Sequence, residues 1–319
     1  MWDNTSIMGM QNNISRIVTI AIAVLAVVAV LVNVHIVRVK GQTDSTNEQI
    51  PALEEQKSAA QATSQDLQTQ VDDQVVEWRN AQGRLSFLGD GTGKVCYLTF
   101  DDGPCDALTK KNLKILKKKG AVATWFCLAN VEEYEYLNLD LCKTIEDQGS
   151  AVGIHDWDQN DSYDYYKGTV EDYFTNDFDK AKEKLEEAVG HEIKIMRFAG
   201  GSPTIGYYNS AIAKSLPQEM VKRGYQYFDW NVLAGDSEAA QMVNGSVPVE
   251  TIKDNILGEA KEFAKTDSPI CVLMHDNPGK DTTTEALPDV IDGLKKLGYE
   301  FKTLSYDTPG FYQLVIKDD

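Results

Sequence analysis

Polar side chains stand at or near the carboxyl ends of five short apolar runs in this 319-residue chain. Asp101 and Asp102 follow VCYLTF (95–100), and His155 follows AVGI (151–154). Arg197 lies in KIMRF (194–198), Asp229 in QYFDW (226–230), and His275 closes ICVLMH (270–275). Two histidines, three carboxylates and a guanidinium are residue types that can carry proton-transfer chemistry. Imidazole titrates near neutrality, a carboxylate takes a proton or holds a cation, and a guanidinium fixes a carboxylate. Each residue alone reads equally well as a cap or a surface charge, so the weight falls on their shared position at strand ends. His191 precedes the fourth run, at the opposite rim, and reads as exposed.

Two further runs, VATWFCL (122–128) and EFKTL (300–304), bring the strand count to seven. Helix-period segments separate them at 109–119, 170–189, 250–265 and 284–297, with Pro217 expected at a break and Pro288 in a first turn. Strands alternating with helices predict a parallel sheet, and seven of them a closed or nearly closed (β/α) barrel. In such barrels chemistry collects at the carboxyl ends of the strands.

The rest of the chain divides into three parts. Residues 17–37 are 21 uncharged residues reaching ~31 Å as a helix, which predicts a transmembrane helix after a short cytoplasmic tail, 1–16. No small-residue cleavage site follows, so an uncleaved anchor is expected. Arg16 before the span against Arg38 and Lys40 after it would put the large part in the cytoplasm on charge alone. Residues 41–93 hold nine acidic against three basic side chains, and two seven-residue series, Leu53/Ala60/Leu67 and Val71/Trp78/Leu85, predict a polar helical stalk. Lys57, Ser64 and Gln74 weaken its seam, leaving a solvated helix and a dimerising coiled coil as equal readings. The glycine-rich 89–94 segment precedes a strand and lacks the first glycine and the Ser/Thr of a phosphate loop, so it is read as a hinge. A net charge of −18 argues against nucleic acid as a partner. Five cysteines without paired spacing imply neither a disulfide framework nor structural zinc.

Thr99-Phe100-Asp101-Asp102-Gly103-Pro104 resembles the first motif of the polysaccharide deacetylases, the NodB-homology or carbohydrate esterase family 4 enzymes. Gly153-Ile154-His155 resembles the second, Arg197-Phe198-Ala199-Gly200-Gly201-Ser202 the third, Asp229-Trp230-Asn231 the fourth, and Val272-Leu273-Met274-His275-Asp276 the fifth. The resemblance covers about residues 94–305, in the family's order. It implies a distorted seven-stranded (β/α) barrel of the NodB type over 94–319. It also implies a hydrolase that removes N-acetyl groups from amino-sugar polymers such as peptidoglycan or chitin, with a divalent metal, usually zinc. Carried onto this chain, Asp101 would be the general base, tuned by Arg197, and Asp102 and His155 would hold the metal. His275 would be the general acid, oriented by Asp229. The Gly200 N–H would face the oxyanion, and Trp230 and Leu273 would line the acetyl pocket.

Two departures stand out. The family's second motif has another histidine four residues after the first, where this chain has Gln159. The metal would then be held by Asp102, His155 and Gln159, or by Asp158 in its place, or would be weak, of another kind or absent. Ala199 replaces a usual proline and removes no chemical group. Two functions are therefore carried forward. One is a membrane-anchored, extracytoplasmic deacetylase of cell-wall glycan; the other is a weak or inactive homologue that binds glycan or organises a partner, with a homodimer through the stalk as an option.

Overall fold

The computed structural model describes residues 49–158 and 163–314. The expected transmembrane helix, the cytoplasmic tail and Gln159 lie outside them. Among the described residues no helix is long and apolar enough to cross a membrane.

Helix α1 (Gln49–Leu88) runs 40 residues, about 60 Å, through most of the expected stalk. The chain divides into a unit ending at Trp78 and a compact unit beginning at Arg79, inside this helix and upstream of the expected boundary at 94. The reason is visible in the second unit. Arg79 hydrogen-bonds Gln226 and the Tyr306 carbonyl and stacks on the Tyr306 ring. Gly83 leaves room for Tyr312, whose N–H donates to the Gly83 carbonyl at 2.9 Å.

The sheet is parallel, built from β1 (Val95–Asp101), β2 (Ala123–Cys127), β3 (Ala151–Ile154), β4 (Ile195–Met196), β5 (Gln226–Tyr227), β6 (Val232–Leu233), β7 (Ile270–His275) and β8 (Glu300–Phe301). Its order is β5-β4-β3-β2-β1-β7-β6, with β8 pairing only the start of β1. Strands covered on both faces read as continuous apolar runs, and every residue of β2 is buried.

One expectation is corrected here. QYFDW is a strand only at its start: β5 ends at Tyr227, and β6 at Val232–Leu233 is a further two-residue strand beyond the run, at the other end of the ladder order, with residues 228–231 connecting the two. The sheet is therefore curled but open between β5 and β6. The short strands follow from composition, since glycines and polar residues interrupt the pairing soon after it starts.

Helices cover the sheet. α2 (Thr109–Lys119) buries Leu113 and Leu116, and ends with three lysines beside its carbonyl-rich terminus and a left-handed Gly120 cap. α3 (Asp140–Asp147) was not anticipated from sequence. α4 (Val170–Tyr173) opens on a Thr169–Asp172 capping box and leads through a π-helical turn into α5 (Asp179–Val189). Then come α6 (Ser202–Tyr208), α7 (Ser215–Lys222), α8 (Val249–Ala264) and α9 (Asp281–Lys296). The two prolines exchange their expected roles: Pro217 sits in the first turn of α7, where its missing N–H costs nothing, and Pro288 lies inside α9.

Candidate active site

The parallel register gathers the flagged residues at one rim. Asp101 ends β1 opposite His275, the last residue of β7. His155 and Arg197 step off β3 and β4, their N–H groups continuing the ladder to Cys127 O and Ile154 O at 3.0 and 2.9 Å. Asp102 follows β1 in the left-handed region, φ 69°, which turns its carboxylate off the strand line and onto the rim. His191 is exposed as expected, paired with Glu146.

Arg197 is completely buried and every donor nitrogen of its guanidinium is used. Nη1 donates to Asp101 Oδ1 at 2.8 Å and Thr99 Oγ1 at 2.7 Å, while Nε and Nη2 donate to the carbonyls of Phe228 and Asp229. Its carbon lies 4.3 Å from the centre of the Phe126 ring and 5.5 Å from that of Trp230. One oxygen of Asp101 is thereby fixed, and Oδ2 is left 3.8 Å from His155 Nε2.

His155 Nδ1 lies 2.8 Å from the Arg197 carbonyl, which only accepts, so that nitrogen carries a proton. Nε2 then faces Asp102 Oδ1 at 3.5 Å. A hard oxygen and an imidazole nitrogen, the latter held from behind, are donors that fit two positions around a divalent cation. Among the described residues no group of three or more His, Cys, Asp or Glu side chains assembles around an ion. Asp158, the alternative third donor, is engaged elsewhere: its oxygens accept from Tyr134 Oη at 2.9 Å and Asn130 Nδ2 at 3.1 Å. Burial works against a charged imidazole, yet the carboxylates of Asp156, Asp101 and Asp102 push His155 up to about 10. A cation would have to displace that proton.

Behind His155 stand two carboxyl groups that the sequence reading passed over. Asp156 is fully buried with Oδ2 3.2 Å from His155 Nδ1. Burial pushes it up to about 6, and burial together with Asp156 pushes the equally buried Asp177 well above the carboxylate range. The two meet side chain to side chain, and one shared proton reconciles their proximity.

On the other side of the rim the expected partner of His275 is corrected. Asp229 does not touch it. Asp229 Oδ1 and Oδ2 accept from the Ser202 N–H (2.8 Å) and hydroxyl (2.6 Å), and Oδ2 also from the Gln313 N–H (2.8 Å). It ties the loop after β4 to the C-terminal segment, and burial raises its pKa. The carboxylate that orients His275 is Asp236, beyond β6. Its Oδ1 accepts from His275 Nδ1 at 2.8 Å and its Oδ2 from the His275 N–H at 2.9 Å and Thr283 Oγ1 at 2.9 Å. Burial opposes the charged ring, but Asp236, followed by Asp102 and Asp101, lifts His275 to about 9. The physical reason is the additional strand β6: it lies against β7, so the chain leaving β6 reaches the end of β7. An acidic residue after the Ala-Gly pair of this turn was the available signal.

Gly200 and Gly201 have φ 68° and 80°, and a Cβ on Gly201 would sit 2.9 Å from Trp230. Leu273 is buried in β7, in register with Thr99 and Leu233. Asp276, next to the general-acid candidate, is buried and accepts from Thr109 Oγ1 and Trp125 Nε1; burial pushes it up to about 7. All five cysteines are free and buried; the Cys105 thiol donates to the Asp276 carbonyl and Cys142 neighbours Cys127.

A curled parallel sheet thus carries an Asp–Arg pair on one side of its rim and an Asp–His pair on the other, an arrangement that fits an acid–base hydrolase. Comparison with known proteins gives the family. A model of polysaccharide deacetylases matches residues 89–227. A peptidoglycan-N-acetylglucosamine deacetylase of Bacillus cereus is 30% identical over 210 residues, 66% of this chain and 68% of that one. The peptidoglycan-N-acetylmuramic acid deacetylase PdaA of Bacillus subtilis is 26% identical over 218 residues, 68% of this chain and 73% of that one. The catalytic domain of a peptidoglycan N-acetylglucosamine deacetylase from Eubacterium rectale superposes with a TM-score of 0.59 at 25% identity, covering 70% of this chain and 94% of that one. The chain belongs to the polysaccharide deacetylase family, NodB-type carbohydrate esterase family 4, and is a hydrolase of the class acting on amide bonds.

Proposed function

We propose that this protein removes N-acetyl groups from a cell-wall amino-sugar polymer, peptidoglycan or a chitin-like glycan, with the help of a divalent cation. The observation that carries the reading is the pairing of opposite proton-transfer groups across one rim: Asp101 fixed by Arg197, and His275 fixed by Asp236. Zinc or a similar cation would be held by Asp102 and His155, with Gln159 the candidate third donor. When bound, such an ion supplies a more acidic water and a polarised carbonyl. Asp101, through its free oxygen, takes the proton of the attacking water. His275, protonated at neutral pH, delivers one from Nε2 to the departing amine, while Asp236 holds Nδ1. The Gly200 N–H is the candidate donor to the oxyanion, and Trp230 and Leu273 the candidate acetyl-pocket walls.

The expected placement is a single-pass membrane protein with the hydrolase outside the cell, because the polymer is there; a stalk homodimer is compatible with it. The experiment is acetate release from a chitin oligomer and from peptidoglycan by the full-length protein, with metal content measured before and after chelation. Release that is lost on chelation and restored by zinc supports the proposal. Glycan binding without release, at full metal occupancy, would replace it with the inactive homologue.

A further inference from the structure

The acid side of the rim depends on a turn. Asp236 follows Gly235, φ 71°, on the segment leaving a strand only two residues long. Its carboxylate must nevertheless reach both Nδ1 and the backbone N–H of His275. Two residues of one neighbouring segment grip this turn. Thr283, in the first turn of α9, donates to the carboxylate, and Lys280, just before α9, donates to the Asp236 carbonyl at 2.9 Å and to Ser237 Oγ at 2.7 Å. Ser237 Oγ in turn lies 3.2 Å from His275 Nδ1. An ammonium has several donors and no acceptor, so one lysine can bind a carbonyl and a hydroxyl together.

We infer that Lys280 is a positioning residue for the general acid, clamping the 236–237 turn so that Asp236 and Ser237 stay on His275. This rests on the assignment of His275 as the acid in the proposed deacetylation. The groups facing His275 are Asp236 and Ser237 from the turn, Asp101 and Asp102 from the end of β1, Asp276 beside it, and Lys280. Lys280 acts on the imidazole in two opposed ways. Its charge, taken alone, disfavours a second cation nearby; its hydrogen bonds, by holding Asp236 in place, favour it. The sign of the effect of removing it therefore distinguishes a clamp from a bystander charge.

The test is the titration of the His275 ring followed by NMR in the full-length protein, the signal assigned by its loss in His275→Gln, with pH–rate profiles for acetate release in parallel. In Lys280→Met the His275 pKa should fall by about one unit or more. At pH 9 kcat should fall several-fold with KM unchanged, and Lys280→Arg should restore most of both. A rise in the His275 pKa, or no change, overturns the inference. Should Lys280→Met fail to fold, Ser237→Ala removes one of the two points the clamp holds and must lower the same pKa; an unchanged value again overturns it. The titration is independent of turnover. Absence of acetate release in the wild type would therefore sink the deacetylase reading while the NMR shift still decides the role of Lys280.

Discussion

The two sides of the rim solve the same problem with different materials. The Asp101–Arg197 side is built into the sheet: both residues adjoin strands, the guanidinium is sealed from solvent, and its partners include two main-chain carbonyls and a threonine hydroxyl. On the Asp236–His275 side, the histidine side chain remains 13% exposed and its carboxylate arrives on a turn held by residues near α9. On the proposed reading, a base that only receives a proton from a nearby water can be rigid, whereas an acid must reach a leaving group on a polymer that comes and goes. The difference teaches that one pair is placed by the sheet itself and the other by a turn that residues outside the sheet hold.

The contrast would break most visibly at Arg197. Arg197→Leu removes the cation from a buried pair and strands Asp101, so urea unfolding should show a loss of about 3–5 kcal/mol. A loss below ~1 kcal/mol would mean that this side is not structural. Next in size, Asp101→Asn and His275→Ala should each reduce acetate release about 10²-fold or more. The His275 variant should also lose stability near neutral pH, because it leaves the buried Asp236 carboxylate without its imidazole partner.

Asp236→Asn sharpens the comparison through pH. His275 is lifted from its ordinary value to about 9, so it contributes stability that is fully present below about 6.5 and lost as pH rises through about 9. The variant should flatten that dependence, and the alkaline limb of the activity profile should move from about 9 toward 6.5. A limb that stays in place would return the orienting role to another group. The smallest expected effect on chemistry is that of Asp229→Asn. It should cost about 1–3 kcal/mol of stability through its three accepted hydrogen bonds and leave the alkaline limb where it was. A shifted limb there would contradict the geometry.

The residues of the rim were legible in the sequence because strand ends in a parallel α/β fold share one edge. A polar residue closing an apolar run is thus placed by local pattern alone, as Asp101, His155 and His275 were. The α2 span and the exposure of His191 were readable for the same reason, since periodicity and position relative to a strand are local. What the sequence left undecided is which carboxylate meets which histidine. Asp229 and Asp236 are seven residues apart on one segment, and both follow short apolar stretches. Only the long-range pairing of β5 with β4 and β6 with β7 sends the first to the Ser202 turn and the second to His275. The Asp156–Asp177 pair behind His155 was hidden likewise. Two acids 21 positions apart look like surface charge until burial leaves a shared proton as their cheapest state. Residue type and local period fixed what chemistry was available and on which edge; the partners were chosen by contacts between segments distant in the chain, which no local pattern encodes.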